Sequence, residues 1–340
     1  MNHNLKIIML SIAVLCIATI LPNDTYGSGE KLVVMTWAGA WGDSFRKVCD
    51  NFEKAEGIKV EFYIQSSSVD GMSKLLAMKD NITVDVWTVG IGQAKVAAQT
   101  GLLARIDENM IPNLKNIPET TRSESYVAWY FVPQGMFYRK DLCPFEIKTW
   151  KDLWDPRLEK KVAVPHATFS SSNFLLIINR VYGGKNEYDM HPAFEAIKKL
   201  KSNAACIYNT DSQSIKYLEM GEAAIAGLSG LPNIYKLLGP DSKFKFVFPY
   251  DNFILGHDYI AIPKSGKEKL ASKLVNYMLS TSAQELHTGN IGTIPSNRSA
   301  KVPEKVKEIK VDMSKEIPRD LDYINKQRPE WIDRFDRIMK

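Results

Sequence analysis

Alternation between strand-like and helix-like segments is the feature of this sequence that most restricts its fold. In the first third of the chain, three short runs of the strand type are each followed by a stretch with apolar side chains at helical spacing. In chain order the segments are a strand at 31–36, a helix that ends at Gly57, a strand at 58–64, a helix at 69–79, a strand at 83–89 and a helix that closes at Gly101. Such alternation is typical of a mostly parallel sheet with helices on both faces.

A second block with the same alternation follows in the middle of the chain. Its segments lie at 162–165, 171–184, 193–201, 214–229 and 244–249. After it come a strand-like run at 258–263, a helix at 267–281 and a charged, proline-containing tail from 301. Because 340 residues suggest two domains of about 150 residues each, we predict an α/β protein with two domains.

The first 27 residues differ from the rest and are typical of an export signal. A short basic region precedes an apolar run at 7–21, and small residues follow, so we expect cleavage after Gly27 and a periplasmic protein. The alternative is a membrane anchor, but the run is shorter than the roughly 20 residues that span a bilayer. Lipidation of Cys16 is disfavoured because Leu15 stands where a small residue is needed.

Charge and cysteine content restrict the kinds of partner. The chain carries 44 Lys and Arg against 39 Asp and Glu, a net charge of +5, and the charges are interspersed rather than gathered into a basic stripe. We therefore expect no nucleic-acid partner. After removal of the signal, Cys49, Cys143 and Cys206 remain, an odd number that allows at most one disulfide and does not indicate which pair forms it. No cluster of Cys and His predicts a metal site, and we expect neither a metal nor a cofactor.

Five segments of the sequence resemble a known protein family. They are TWAGAWGDSFRKVCDNFEKAEGIKVEF at 36–62, TWKDLWDPRLEKKVAVP at 149–165, MGEAAIA at 220–226, LVNYMLSTSAQE at 274–285 and GTIPSN at 292–297. In this order they resemble the extracellular solute-binding proteins of ABC importers, in the spermidine/putrescine-binding group, over nearly the whole mature chain. One departure is Lys160, where the family commonly has Gly.

The resemblance implies a fold and a way of working. The fold is that of a type II periplasmic binding protein, in which two α/β lobes joined by two crossing strands trap a small solute between them. The protein would not be an enzyme, and it would deliver its small-molecule ligand to a membrane permease. We expect it to act as a monomer.

Mapped onto this chain, the resemblance implies a division into lobes. Lobe one takes 28–136 plus 256–300, lobe two takes 137–255, and 301–340 is a C-terminal helical segment that packs on the lobes. The crossings are expected near 134–140 and near 253–259.

The turn after the first strand is the first predicted part of the binding site. It lies at the carboxyl end of the predicted sheet, where ligands bind in open α/β folds. Trp37 and Trp41 can cover a methylene chain or face an ammonium group there, and Ala38 and Gly39 between them let the backbone come close. The alternative is that one or both tryptophans pack under the following helix.

Asp258 matches the aspartate that meets an amine in the family that the chain resembles. A carboxylate inside a closing cleft is costly unless it is paired, so it either binds a cationic ligand or is held by a neighbouring arginine. Other family positions differ: Gly256 replaces a tryptophan, the segment 166–173 replaces an acidic pair, and Gly90 and Gly92 replace a Ser and a Tyr. Gly90 nevertheless lies at a strand end, where ligand contact is expected. Most of the cage for a long polyamine is missing, so we expect a ligand other than spermidine itself.

Three consecutive serines suggest what the ligand carries besides an amine. Ser170, Ser171 and Ser172 stand at the start of a predicted helix, where free N–H groups and hydroxyls suit a carboxylate. With Asp258 opposite, they favour a small zwitterion such as an amino acid, and His166 would add a pH-sensitive contact. The alternatives are plain capping of the helix by the serines and a structural role for the histidine.

Three further ligand contacts are predicted from the layout of the family. Gln134 and Tyr138 lie on the first crossing, where a tyrosine is as often a core residue, and Asp211 lies ahead of the helix from 214. The predicted ligand is therefore a small amine-bearing solute, either polyamine-like or zwitterionic, and the alternative is a small carboxylate or other organic anion.

Other classes of function have less support. A secreted hydrolase is disfavoured because the sequence contains no GxSxG, HExxH or GxxxxGK motif, and we expect no catalytic residue. An adhesion or scaffold protein would contain repeats, and none is present. The related iron carriers grip their metal with neighbouring tyrosines, and this chain has no adjacent Tyr-Tyr pair.

Overall fold

The computed structural model describes residues 29–309 and 311–340. The predicted signal peptide at 1–27 and its cleavage after Gly27 lie outside the described residues. Within the described residues, no helix is both long enough and apolar enough to cross a bilayer.

The described strands form two sheets. They are β1 (Lys31–Trp37), β2 (Lys59–Gln65), β3 (Val86–Gly90), β4 (Tyr126–Val132), β5 (Gln134–Arg139), β6 (Val162–Pro165), β7 (Ala204–Tyr208), β8 (Ile225–Gly230), β9 (Phe244–Val247), β10 (Gly256–Ala261) and β11 (Ile294–Pro295). The first sheet has the order β11-β4-β10-β3-β1-β2, and the second sheet has the order β7-β6-β8-β5-β9. Both sheets carry helices, as the α/β prediction requires.

The chain passes between the two sheets twice. It leaves the first sheet at the end of β4 and enters the second at Gln134, and it returns to the first sheet between Val247 of β9 and Gly256 of β10. The second sheet thus begins before residue 137, where the second lobe was expected to start. We propose that these two passages are the hinges between the lobes.

Both sheets are mixed, so the expectation of mostly parallel sheets is wrong. β1 is parallel to β2 and β3, and β6 is parallel to β7 and β8, in the segments where strands and helices alternate. β10 is antiparallel to β3 and β4, β11 to β4, and β5 to β8 and β9. Strands β4, β5, β9 and β10 flank the passages between the sheets, where no helix crosses over to return the chain in the same direction.

Helices flank both sheets. They are α1 (Gly39–Glu56), α2 (Ser68–Ala77), α3 (Ile91–Gln99), α4 (Asn173–Val181), α5 (His191–Leu200), α6 (Asp211–Met220), α7 (Leu231–Ile234), α8 (Glu268–Met278), α9 (Thr281–Ile291), α10 (Glu304–Lys307) and α11 (Leu321–Met339). The expected helix at 267–281 is followed directly by a second one, α9, because Ser280 caps a new helix by accepting a hydrogen bond from the Ala283 N–H. Helix α1 buries Phe45, Val48, Cys49 and Phe52, the four positions that its apolar spacing predicts.

The C-terminal helix α11 docks on the second sheet and its helices. It packs against α5 and buries Ile324, Trp331 and Phe335 in the same apolar cluster as the strands β5 and β6. At its other end, Asp322 forms an exposed ion pair of 2.7 Å with Lys95 of α3, which flanks the first sheet. Helix α11 therefore touches both sides of the molecule, but its own buried apolar residues pack on the second-sheet side.

The three cysteines in the described residues are free thiols. Cys49 lies in the core of the first sheet, and Cys143 and Cys206 are half-buried near the second. The one disulfide that their number allowed is not formed.

Candidate functional site

A cleft lies between the two sheets at the carboxyl ends of β1 and β2. Its larger part, which we name the main chamber, has a volume of about 670 Å³. The first-sheet side supplies Trp37, Ala38, Trp41, Gln65, Ser66, Ser67, Ser68 and Asp258, and the second-sheet side supplies Gln134, Phe169, Ser170, Asp211, Ser212 and Asn233. No lysine or arginine lines the main chamber in the part of the chain that the structure describes.

Asp258 enters the main chamber from the middle of the first sheet. Its strand, β10, pairs with Gly90 of β3 on one side and with Tyr130 of β4 on the other, and a bulge between Asp258 and Tyr259 interrupts the pairing with β4. Bulges of this kind re-aim a side chain next to a site. Burial raises the pKa of the Asp258 carboxyl to about 6, and the Tyr130 hydroxyl offsets part of that rise.

Asp211 approaches the same chamber from the second-sheet side. It is the first residue of α6, and its carboxylate accepts hydrogen bonds from the Gly230 N–H at 3.2 Å and from Asn233 Nδ2 at 2.8 Å. Burial nevertheless raises the pKa of Asp211 to about 6, although these bonds oppose the rise. Among the described residues, neither Asp211 nor Asp258 forms an ion pair with a lysine or an arginine.

Trp41 connects the two sides of the cleft. Its ring stacks on Tyr130 with centroids 5.6 Å apart, and its Nε1 donates a hydrogen bond of 3.3 Å to Asn233 Oδ1 on the second-sheet side. Trp41 thus packs against the core and also lines the chamber, so both interpretations of its sequence position hold in part. Trp37, half-buried at the end of β1, lines the chamber beside it.

Gly42 lets the first helix start close to the end of the first strand. A Cβ at Gly42 would lie 2.4 Å from the Trp37 carbonyl oxygen, closer than any real contact of this kind. Only glycine fits this approach, and the approach places Trp37 and Trp41 side by side at the cleft.

The three serines form a left-handed turn. The φ angles of Ser170, Ser171 and Ser172 are 48°, 56° and 69°, a conformation that costs roughly 1–2 kcal/mol per residue. Hydrogen bonds hold the turn: Gln134 Nε2 donates to Ser170 Oγ at 2.5 Å, Asn173 Nδ2 donates to Gln134 Oε1 at 2.8 Å, and Ser172 Oγ donates to the Ala167 carbonyl at 2.8 Å. The serine at the N-cap of α4, Ser172, makes no side-chain capping bond, so plain helix capping does not describe the run.

Four predicted contacts lie away from the cleft lining. His166 lies outside the cleft, where its Nε2 is 2.8 Å from Asp336 Oδ1 of α11 and its Nδ1 contacts Thr168 Oγ1. Tyr138 is buried in the core behind the second sheet, because its position on β5 turns it away from the cleft. Ser172 is buried, and Gly39 is exposed at the first turn of α1, with a φ of 65°.

A second, smaller cavity continues from the main chamber. This side chamber has a volume of about 370 Å³ and shares Ser67, Ser68, Ser170, Gly256 and Asp258 with the main chamber, so the two are contiguous. It extends past Gly90, Ser171 and His257 to Arg319 and Arg328 of the C-terminal segment. Glu316 pairs there with His257 at 2.9 Å and with Arg319 at 3.0 Å.

Sequence reasoning missed one whole edge of the cleft. Gln65 to Ser68 follow β2 as the tryptophans follow β1, and the same argument from the carboxyl ends of strands applies to them. The Ser68 hydroxyl accepts a hydrogen bond of 3.0 Å from the Gly90 N–H, which ties this edge to the end of β3. The arginines of the tail carried no such signal, because only the tertiary fold brings them to the cleft.

Comparisons with known proteins agree on one family. A family model described as bacterial extracellular solute-binding protein matches residues 47–312. The spermidine/putrescine-binding periplasmic protein 1 of Haemophilus influenzae is 27% identical over 306 residues, which cover 86% of this chain and 81% of that protein.

Solved structures show the same fold. The spermidine/putrescine ABC transporter substrate-binding protein of Streptococcus pneumoniae superposes with a TM-score of 0.78 at 19% identity, covering 92% of this chain and all of the other. A ferric binding protein from Campylobacter jejuni superposes with a TM-score of 0.71 at 20% identity, covering 90% of this chain and 99% of the other. At these identities the likeness concerns the fold alone.

Proposed function

This chain belongs to the bacterial extracellular solute-binding protein family, and from that premise we propose that it captures a small amine-bearing solute by closing the two lobes over it. Members of this family are non-enzymatic transport components that pass small ligands to a membrane permease. The amine is the finer part of the proposal, and it rests on the chemistry of the cleft.

The observation that carries the proposal is the pair of carboxylates in the main chamber. Asp211 and Asp258 reach the chamber from opposite sheets, and no cationic side chain among the described residues pairs with either. Partly buried carboxylates without a cationic partner are unfavourable in their ionised form, so a cation that enters between them is stabilised by both. Trp37 and Trp41 add aromatic surface for an alkyl chain or an ammonium group.

The same features weigh against the other ligands. A simple carboxylate in the main chamber would face two like charges, so an organic anion without an amine fits poorly. Within the described residues, no three His, Cys, Asp or Glu side chains converge to hold a metal ion, so we do not extend the iron named for the ferric neighbour to this chain. The spermidine and putrescine named for the Haemophilus relative agree with an amine.

The placement of the contacts supports closure of the two lobes over the ligand. Ligand that touches Asp258 on one side and Asp211 on the other favours the closed arrangement, because only that arrangement makes both contacts. The Trp41–Asn233 hydrogen bond already spans the cleft at 3.3 Å. Packing of Tyr235 against Gly292, where a Cβ would lie 2.4 Å from the tyrosine ring, adds a second contact between the two sides.

Calorimetric titration of the mature protein with α,ω-diamines and ω-amino acids of three to six carbons tests the proposal. At pH 7.5 we expect saturable binding, and at pH 5 each carboxylate with a pKa of about 6 is only about 9% ionised. Since an amine binds the ionised form, its affinity should fall as the pH drops through 6, by roughly tenfold or more. Affinity that is unchanged at pH 5, or binding of anions without an amine alone, would contradict the proposal.

Replacement of Gly42 by alanine should weaken the same binding by roughly tenfold, which corresponds to about 1.4 kcal/mol. The added Cβ has to displace either Trp37 or the first turn of α1, which carries Trp41. Gly289→Ala in α9 is the matched control, because a Cβ there meets nothing within 4 Å. Equal affinities of the two variants would show that the tryptophan pair is not needed for binding.

A further inference from the structure

The C-terminal segment closes one end of the cleft. Arg319, Leu321, Ile324, Asn325 and Arg328 line the side chamber, which opens into the main chamber beside Asp258. All five lie beyond residue 312, where the match to the family model ends. This wall of the cleft is therefore supplied by a part of the chain that the family model does not cover.

The two arginines of this wall differ in their partners. Arg319 is compensated: its Nη2 lies 3.0 Å from Glu316 Oε1, and its Nη1 donates to Asn173 Oδ1 at 3.4 Å. Arg328 donates from Nη2 to Asn325 Oδ1 at 2.8 Å, and it forms no ion pair among the described residues. Its Nε is buried and has no hydrogen-bond partner.

An arginine without an ion-pair partner favours the binding of an anion. Guanidinium offers its donors in a planar fork that matches the two oxygens of a carboxylate. Arg328 lines the side chamber and has no carboxylate partner among the described residues, and a carboxylate bound in the chamber would supply one. The side chamber thus contributes one positive charge without an ion-pair partner, that of Arg328, whereas the charged side chains of the main chamber are carboxylates, and the two chambers are joined at Asp258 and Ser170.

We propose that the solute is a zwitterion, with its ammonium group in the main chamber at Asp258 and Asp211 and its carboxylate in the side chamber at Arg328. This inference rests on the proposed function and adds the second charged group and the residue that selects it. Arg319 supports the wall through Glu316 and Asn173 and is a positioning residue.

Paired probes of equal chain length test this inference. For each length from three to six carbons, the α,ω-diamine, the ω-amino acid and the unsubstituted carboxylate are titrated into the wild type and into Arg328→Gln at pH 7.5. At the best length the ω-amino acid should bind the wild type more tightly than the diamine does. Arg328→Gln should lower the affinity for the ω-amino acid roughly tenfold to a hundredfold, as expected for the loss of a charged hydrogen-bond partner. It should leave the affinity for the diamine unchanged.

Two controls separate binding from structure. Arg337→Gln, on the same helix but paired with Asp333 at 2.7 Å outside the chamber, should change neither affinity. Arg328→Lys keeps the charge and should retain part of the preference for the ω-amino acid.

The outcomes distinguish this inference from the function on which it rests. Equal weakening of diamine and ω-amino acid by Arg328→Gln would assign Arg328 a structural role and overturn the inference. A wild type that binds diamines as tightly as ω-amino acids would also overturn it, while the proposed amine-binding function would stand. Failure of every amine to bind would instead refute the proposed function.

Discussion

Replacing Asp258 by asparagine should abolish amine binding and, at the same time, make the ligand-free protein more stable. The variant keeps the shape of the side chain but loses the charge that attracts the ammonium group, and loss of a buried charged partner weakens binding by about a hundredfold or more. Because burial raises the pKa of Asp258 from 3.8 to about 6, the ionised carboxylate destabilises the native state at neutral pH. Removing it should add up to roughly 2–3 kcal/mol to the free energy of unfolding at pH 7.5.

The stability gained by Asp258→Asn should depend on pH in a defined direction. Between pH 4 and 6 the native state holds a proton that the unfolded state has lost, so the wild type loses stability as the pH rises through this window. The advantage of Asp258→Asn should therefore shrink as the pH falls from 6 and vanish near pH 4. Denaturant unfolding at several pH values measures it, with the exposed Asp80→Asn as the control. A variant that is less stable than the wild type at pH 7.5, or that still binds amines normally, would contradict the role given to Asp258.

Truncation of Phe335 to alanine should destabilise the protein by about 3–5 kcal/mol, the usual range for a fully buried phenylalanine. Its side chain has no exposed surface and packs edge-on against His166 with ring centroids 5.2 Å apart. The neighbouring turn of α11 would lose its apolar anchor, so the helix should separate from the second sheet more easily. The measurement is the free energy of unfolding in denaturant.

Met220→Ala is the control for this truncation, because Met220 is 62% exposed at the end of α6. It should change stability by no more than about 0.5 kcal/mol. A similarly small effect for Phe335→Ala would mean that α11 is not docked as the structure has it.

Local periodicity predicted most of the elements, and long-range topology set the rest. The apolar spacing of Phe45, Val48 and Phe52 specified both α1 and its buried face, and Gly57 marked its end. Strand direction was not accessible in the same way, because β10 looks like any other short apolar run, and only the passage between the sheets makes it antiparallel. Helix α9 was missed because its apolar residues do not form a regular stripe.

The site was predictable where it lies next to a strand end and unpredictable where it depends on which face a residue presents. Trp37 lines the cleft as expected, since a strand end fixes the location of its neighbours, and Asp258, which was predicted from the family resemblance, lines it as well. His166 and Tyr138 were placed correctly along the chain but face elsewhere, toward α11 and toward the core. Arg328 lies far along the sequence from Asp258, and no local pattern connects the two.

The way in which α11 is attached bears on the length of the ligand that the proposed site would accept. Buried Trp331 and Phe335 fix the helix to the second sheet, whereas the helix itself contacts the first-sheet side through the exposed Lys95–Asp322 pair, which contributes at most about 1 kcal/mol. In the proposed hinge motion, Arg328 would travel with the second sheet and Asp258 with the first, so the distance between the two side chains would change with the rotation. A zwitterion that is too short would not reach both charges, and one that is too long would hold the two sheets apart, so the proposed site would select solutes by their length as well as by their charge.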